Sequence, residues 1–276
     1  MRKLLSANFV RLKKSKVFWA ATLFLVVFGI VLVLNQYKEH VLYGYEVKLN
    51  TVFFGYTILI GIICAAFCSL FLGTEYSDGT IRNKLVVGHT RTAIYVSNFI
   101  TVTVAALLMC AAFVIVVSVV GTPLIGLVKA SPRLLAGLLF GSTLMICAVC
   151  AILTLISMLN QNKAVSAVIC ILGMVALLFA AVVIKTKLEA PEFYDGYVFS
   201  DSLGSAENEQ IANPEYLTGT ARLVYECIYD ILPTGQALQY SGMTANHLWQ
   251  MMLYSLLITI GTTLTGIVCF GRKDVK

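Results

Sequence analysis

Charged residues are scarce in this sequence. Only 12% of its 276 residues are charged, about half the share usual in a soluble domain. So few charged side chains cannot cover a water-facing surface of this size, which argues against a soluble enzyme. Hydrophobic residues make up 59% of the chain, and disordered chains are poor in such residues. The composition therefore predicts a protein that crosses a membrane several times.

Charge is absent altogether from the six longest apolar runs, which contain no Asp, Glu, Lys or Arg. They cover residues 17–34, 51–72, 92–121, 134–158, 164–184 and 248–270. Each is long enough for a transmembrane helix, which needs about 20 residues. Ion-coupled carriers usually keep an ionisable group at membrane depth. The absence counts against an ATP-independent secondary carrier or channel, which stays the alternative function.

Recognisable catalytic and nucleotide-binding motifs are also missing. The three histidines lie outside the apolar runs, and no HExxH sequence is present. The Gly-containing segment 73–80 lacks the lysine of a phosphate-binding loop. Seven of the eight cysteines fall inside apolar runs, where thiols behave as small hydrophobic groups. We therefore expect no catalytic residue, no metal site and no cofactor, and any ATP hydrolysis must come from a partner subunit.

The basic residues indicate the orientation in the membrane. Segments 1–16, 73–94, 159–163 and 271–276 hold 13 Lys or Arg in 49 positions, whereas segments 35–50, 122–133 and 185–247 hold 7 in 91. The positive-inside rule places the first set, with both termini, in the cytoplasm of a cell-membrane protein. Because these residues flank apolar runs instead of forming one patch, nucleic acid is not expected as a partner.

The first of these segments, 1–16, has the pattern of an amphipathic helix. Leu5, Phe9 and Leu12 recur at helical spacing among six basic residues. Such a helix lies in the headgroup region of the inner leaflet before the first span. A plain positive-inside anchor is the alternative, and it is compatible with the first interpretation.

The segment 185–247 is the longest connection and carries nine acidic residues. Its first half is expected to be irregular. From Thr220 an apolar stripe indicates a helix, residues 232–235 break it, and a second short helix begins at Gln236. Because each helix is too short to span a bilayer, the pair predicts a re-entrant outer gate; a soluble helical cap is the alternative. The gate residues are Leu223, Cys227, Ile228, Pro233, Gly235 and Leu238.

The cytoplasmic segment 73–94 predicts a helix of about two turns. Asp78 is placed as its N-cap and Gly88 as its C-terminal stop, while Thr90 caps the following span. Ile81 and Leu85 share one face of this helix, and Arg82 and Lys84 flank it. A solvated connector between two spans is the alternative interpretation.

This segment resembles a loop in the type-2, exporter-type permease subunits of bacterial ABC transporters. Their loop commonly reads Glu-x-x-x-Gly-Thr-Ile-Arg-x-x-Leu, followed by Gly-x-x-Arg. The matching positions here are Glu75, Gly79, Thr80, Ile81, Arg82, Leu85, Gly88 and Arg91. The family layout also includes the interfacial helix, six spans and a helical pair before the sixth span, with a turn resembling residues 229–236. The layout covers residues 1–276 as one all-α transmembrane domain.

The resemblance implies the membrane-spanning subunit of an ATP-driven exporter. Two copies, or this chain and a related permease, would form the pathway above two ATP-binding subunits. The loop at 73–94 would dock on the ATPase, with Ile81 and Leu85 in a groove and Arg82 and Lys84 at its rim. Glu75 and Arg91 would hold the loop to the spans and to the N-terminal helix. The sequence does not select a substrate.

Overall fold

The computed structural model describes residues 1–199 and 206–273, most of them in helices. Along the chain the elements are α1 (Arg2–Lys14), α2 (Lys16–Tyr43), α3 (Asn50–Phe53), α4 (Tyr56–Ser77), α5 (Thr80–Val86), α6 (Arg91–Ile125), α7 (Pro132–Leu159), α8 (Lys163–Leu188), β1 (Phe193–Phe199), β2 (Ala206–Ala212), α9 (Gly219–Ile231), α10 (Pro233–Ser241) and α11 (Leu248–Arg272). Residues 200–205, within the segment expected to be irregular, and 274–276, at the end expected to be cytoplasmic, lie outside the described residues.

The six expected spans are confirmed as helices that are long and apolar enough to cross a membrane. They are α2, the pair α3 and α4, α6, α7, α8 and α11. In α4, α6 and α7, 50–61% of the most apolar window is buried inside the chain, against 17–22% in α2, α8 and α11. The core of the bundle is therefore formed by α4, α6 and α7, and its periphery by α2, α8 and α11.

Close packing within the bundle uses the glycines of α7. A Cβ atom added at Gly137 would lie 2.9 Å from the Leu248 side chain, and one at Gly141 would lie 2.5 Å from the Tyr240 hydroxyl. These two positions form the GxxxG spacing of the fourth span, which permits close approach of helices. In this protein the spacing brings α10 and α11 of the same chain against α7.

The helix α1 lies against α6 and turns sharply into α2 at Ser15. Ser15 is extended, and its Oγ accepts a hydrogen bond from the Phe18 amide at 3.3 Å, which caps α2. The buried positions of α1 are Leu4, Asn8 and Leu12. The inward face is therefore rotated from the expected one and includes a polar residue.

A β-hairpin takes the place of the irregular structure expected in the first half of the segment 185–247, within a fold that is otherwise all-α as predicted. Strands β1 and β2 pair antiparallel, with Phe193 opposite Ala212 and Phe199 opposite Ala206. Asn213 closes the base, because its backbone amide donates to the Glu192 carbonyl at 2.9 Å and its side chain donates to the Pro191 carbonyl. The aromatic and β-branched residues of β1 favour a strand, a signal obscured by the acidic composition around it.

Candidate functional site

The turn between α4 and α5 depends on Gly79. Its φ of +64° lies in the left-handed region, where glycine carries no side-chain penalty. The helix α5 then begins at Thr80, whose hydroxyl donates to the Glu75 carbonyl at 3.0 Å. Asp78 caps the end of α4 and does not cap the start of α5, so its predicted N-cap role is wrong.

The predicted end of this short helix is confirmed at Gly88. With φ +94°, it donates its amide to the Leu85 carbonyl at 2.9 Å, and the His89 amide donates to the Lys84 carbonyl at 3.1 Å. These bonds satisfy carbonyls that a helix end leaves without partners. Thr90 caps α6 as predicted, since its hydroxyl accepts from the Ala93 amide at 3.2 Å.

Glu75, at the end of α4, is fully buried and binds three neighbouring elements. Its Oε1 accepts from Lys84 Nζ of α5 at 2.5 Å and also pairs with the Arg11 guanidinium of α1. Its Oε2 accepts from Asn98 Nδ2 of α6 at 2.8 Å. One carboxylate therefore joins α1, α4, α5 and α6.

Asn8 completes the arrangement, which we call the Glu75 cluster (Asn8, Arg11, Glu75, Lys84 and Asn98). The Asn8 side-chain amide donates to Asn98 Oδ1 at 2.8 Å, and its Oδ1 accepts from Lys84 Nζ at 3.1 Å. Burial lowers the pKa of Arg11 and of Lys84, and the Glu75 carboxylate opposes that shift. Glu75 is thus the carboxylate that pairs with both cations.

Sequence reasoning missed Asn8, Arg11 and Asn98 as members of this cluster. Asn98 is the only asparagine in the third apolar run, and a polar side chain at that depth needs a partner. Asn8 lies between Leu4 and Leu12 on the apolar face of α1. Both signals are visible in the sequence, but neither identifies Glu75 as the partner.

The outward face of α5 differs from the expected one. Ile81 is only 1% exposed and packs in the core of this chain. Lys84 is bound to Glu75. The expectation that these two side chains face an ATPase is therefore corrected. Leu85 is half-buried against the core, and the exposed side chains are Arg82, Asn83, Val86 and Val87.

The far end of the loop is fixed by Arg91. Its guanidinium donates to the Phe270 carbonyl at 3.3 Å and to the Lys273 carbonyl, at the end of α11. Lys273 Nζ in turn donates to the Leu159 carbonyl at 2.8 Å, at the end of α7. The loop is therefore tied to the ends of two spans in addition to the Glu75 cluster.

At the opposite end of the bundle, the two short helices expected in the outer segment are present. They are separated by Leu232 alone, because Pro233 begins α10, a position that suits its fixed φ. The expected start at Gln236 is therefore wrong by three residues. A Cβ atom at Gly235 would lie 2.1 Å from the Tyr229 carbonyl oxygen, so the tight turn requires glycine.

The helix α10 is buried among α4, α7 and α8. The Thr57 hydroxyl of α4 donates to the Ala237 carbonyl at 2.7 Å, and the Thr234 hydroxyl donates to the Leu177 carbonyl of α8 at 2.8 Å. Leu238, an expected gate residue, is half-buried. The Ala237 carbonyl and the Thr234 hydroxyl of α10 thus bind the surrounding spans directly.

The expectation that Leu223, Cys227 and Ile228 pack on the spans is wrong. All three are exposed, Leu223 to 66%. The inward side of α9 carries Asp230, whose carboxylate accepts from Gln239 Nε2 at 2.8 Å and contacts His247 Nδ1 at 3.0 Å. A buried carboxylate needs such partners, and Asp230 finds them on the inward side of α9. The apolar stripe on the other side of α9 therefore faces outward.

These features define a polytopic membrane protein. Within residues 1–199 and 206–273, no group of His, Cys, Asp or Glu side chains is placed to hold a metal ion.

The model of the ABC-2 family transporter proteins matches residues 4–197, and the chain belongs to this family. It is therefore a membrane component of an ABC transporter, as the loop resemblance predicts, and the family implies ATPase partners. The match includes the Glu75 cluster and α5, whereas α9 and α10 lie beyond it. No curated protein matches the chain significantly.

Proposed function

We propose that this chain is the membrane-spanning subunit of an ATP-driven exporter in the cell membrane, moved through α5 by a separate ATP-binding subunit. The observation that carries the proposal is the Glu75 cluster. It joins α5, a short helix in the loop expected to be cytoplasmic, to α1 and to two core spans, α4 and α6.

The cluster gives α5 a stiff connection to the transport pathway. Removing one partner from a buried ion pair costs about 3–5 kcal/mol, so α5 does not separate easily from Glu75. A force on α5 therefore acts on the end of α4 through Glu75 and on α6 through Asn98. Arg91 transmits the same displacement to the end of α11.

The surface that meets the ATPase is the exposed end of α5. Val86 and Val87, adjacent in sequence, are 79% and 76% exposed. Buried apolar anchors surrounded by charged residues are the usual energetic centre of an interface. We assign Val86 and Val87 as anchors and Arg82 as a rim charge, while Leu85 supports them from within the permease.

At the other end, α10 closes the outer mouth of the pathway. Its hydrogen bonds to α4 and α8 hold the resting arrangement, and export requires them to loosen. Pro233 and Gly235 keep the turn between α9 and α10 rigid, so the two helices move as one unit. A second permease, identical or related, completes the pathway, and both termini are cytoplasmic.

The experiment compares Val86→Ser and Val87→Ser with Leu127→Ser. Leu127 is 74% exposed in the loop on the opposite side of the bundle, which makes it a matched apolar control. Each α5 variant should lose co-purification with an ATP-binding-cassette subunit, because an interface anchor commonly contributes about 2 kcal/mol or more. Substrate-stimulated ATP hydrolysis should fall in parallel.

Leu127→Ser should leave both measurements unchanged. Normal assembly and normal coupled hydrolysis in Val86→Ser and Val87→Ser would falsify the docking role of α5.

A further inference from the structure

An apolar groove lies between α1, the first turns of α2 and the middle of α6. It has a volume of about 500 Å³ and is lined by Phe9, Leu12, Lys13, Phe18, Trp19 and Leu108, among others. Lys13 is the only charged residue of this lining. Trp19 is 58% exposed and Leu108 is 50% exposed, so the groove opens at the surface of the bundle.

The groove is bordered by positive charge without matching negative charge. Lys13 lies in its lining, and Lys14 and Lys16 follow Lys13 closely in the chain. No acidic side chain in the described part of the chain forms an ion pair with any of these three lysines, whereas Arg11 turns inward to Glu75. The cationic rim is therefore available to an external anion.

Trp19 indicates how deep in the membrane the groove lies. Its indole Nε1 donates to the Lys13 carbonyl at 2.9 Å, which holds the ring beside the last turn of α1. Tryptophan prefers the boundary between headgroups and hydrocarbon. The apolar floor and the charged rim thus meet at the level where a phospholipid has its own acyl chains and phosphate.

We propose that this groove binds one anionic phospholipid of the inner leaflet. An acyl chain lies along Phe18 and Leu108, and the phosphate lies at Lys13 and Lys14. Basic pockets beside transmembrane helices recognise anionic headgroups in this way. The assignment to the inner leaflet rests on the topology of the proposed function. Because α1 also holds Arg11 of the Glu75 cluster, the lipid would brace the element to which α5 is tied.

Charge complementarity decides between this occupant and a neutral lipid. Each basic residue near an anionic surface strengthens association by about fivefold at ordinary ionic strength. A neutral phospholipid would gain the same apolar contacts without that preference. The proposal therefore requires selectivity for the headgroup in addition to contact with hydrocarbon.

The chain contains only two tryptophans, Trp19 and Trp249, which makes a direct measurement available. In a Trp249→Phe background, Trp19 becomes the sole tryptophan reporter. The protein is reconstituted in phosphatidylcholine vesicles, and a small fraction of lipid is replaced by phosphatidylglycerol or phosphatidylcholine with brominated acyl chains, which quench tryptophan fluorescence. We expect half-maximal quenching at a several-fold lower fraction of brominated phosphatidylglycerol.

Two matched pairs of variants test the site. Replacing both Lys13 and Lys14 by Gln should remove the preference for phosphatidylglycerol. Replacing both Arg2 and Lys3 by Gln removes the same charge about 15 Å away along the helix and should retain it. Ala112→Phe fills the groove and should weaken quenching by the anionic lipid, whereas Val119→Phe, exposed elsewhere on α6, should not.

Equal quenching by the two brominated lipids would overturn the proposal, since Trp19 would then contact only unselected surrounding lipid. Equal loss of preference in both charge-removal variants would also overturn it, because attraction would be diffuse. A preference that survives Ala112→Phe places the lipid outside the groove. The measurement needs no ATPase, and assembly with the ATP-binding subunit tested separately distinguishes failure of this site from failure of the proposed function.

Discussion

Replacing Glu75 with Gln should destabilise the permease far more than loss of an ordinary surface charge. The carboxylate is fully buried, while the Arg11 and Lys84 side chains that share it are 30% and 15% exposed. Glutamine can still accept the Asn98 hydrogen bond, but both cations lose their counter-charge. Breaking a buried ion pair costs about 3–5 kcal/mol. Because water reaches part of Arg11, we expect about 3 kcal/mol, the lower end of this range.

The assay is the free energy of unfolding in mixed micelles with increasing denaturing detergent. Glu46→Gln is the matched control, because Glu46 pairs with Lys129 at 3.8 Å and both side chains are more than 70% exposed. Exposed pairs contribute about 1 kcal/mol or less. Coupling is measured in the same samples as substrate-stimulated ATP hydrolysis, which should fall in Glu75→Gln and stay normal in Glu46→Gln.

A second variant separates excess buried charge from lost hydrogen bonding. Adding Lys84→Met to Glu75→Gln removes one uncompensated cation while keeping an apolar stem of similar length. Part of the lost stability should return, because the remaining charge is the more exposed Arg11. The reasoning about the Glu75 cluster would be refuted if Glu75→Gln lowered the free energy of unfolding no more than Glu46→Gln. It would also be refuted if the double variant lost as much stability as the Glu75→Gln and Lys84→Met variants lose together.

Two further predictions address topology and the outer turn. In a Cys227→Ser background, the thiol introduced by Leu127→Cys should react with an impermeant reagent in intact cells, whereas the thiol introduced by Asn83→Cys should not. The opposite labelling pattern would mean that the proposed orientation in the membrane is wrong. Gly235→Ala should destabilise the protein by about 1–3 kcal/mol through overpacking, since the added Cβ would lie 2.1 Å from a carbonyl oxygen of α9. Gly173→Ala is the control and should be tolerated, because open space surrounds that position. Equal stability of the two variants would contradict the requirement for glycine in the turn.

The local features of this protein were predictable from its sequence. Six apolar runs without charge predict six spans because a bilayer demands length and hydrophobicity from each segment independently. The stop at Gly88 and the cap at Thr90 were predictable for the same reason, since each depends on a few neighbouring residues. The loop motif correctly indicated the family.

Which side of each helix faces the protein was decided only by the tertiary structure. In a membrane, lipid is as apolar as a protein core, so the apolar surface of a span does not reveal which face is buried. Polar partners far apart in sequence decide it instead: Glu75 draws Arg11 and Lys84 inward, and Asp230 turns α9. Periodicity along one segment carries no information about these pairings, because they form only when distant helices meet.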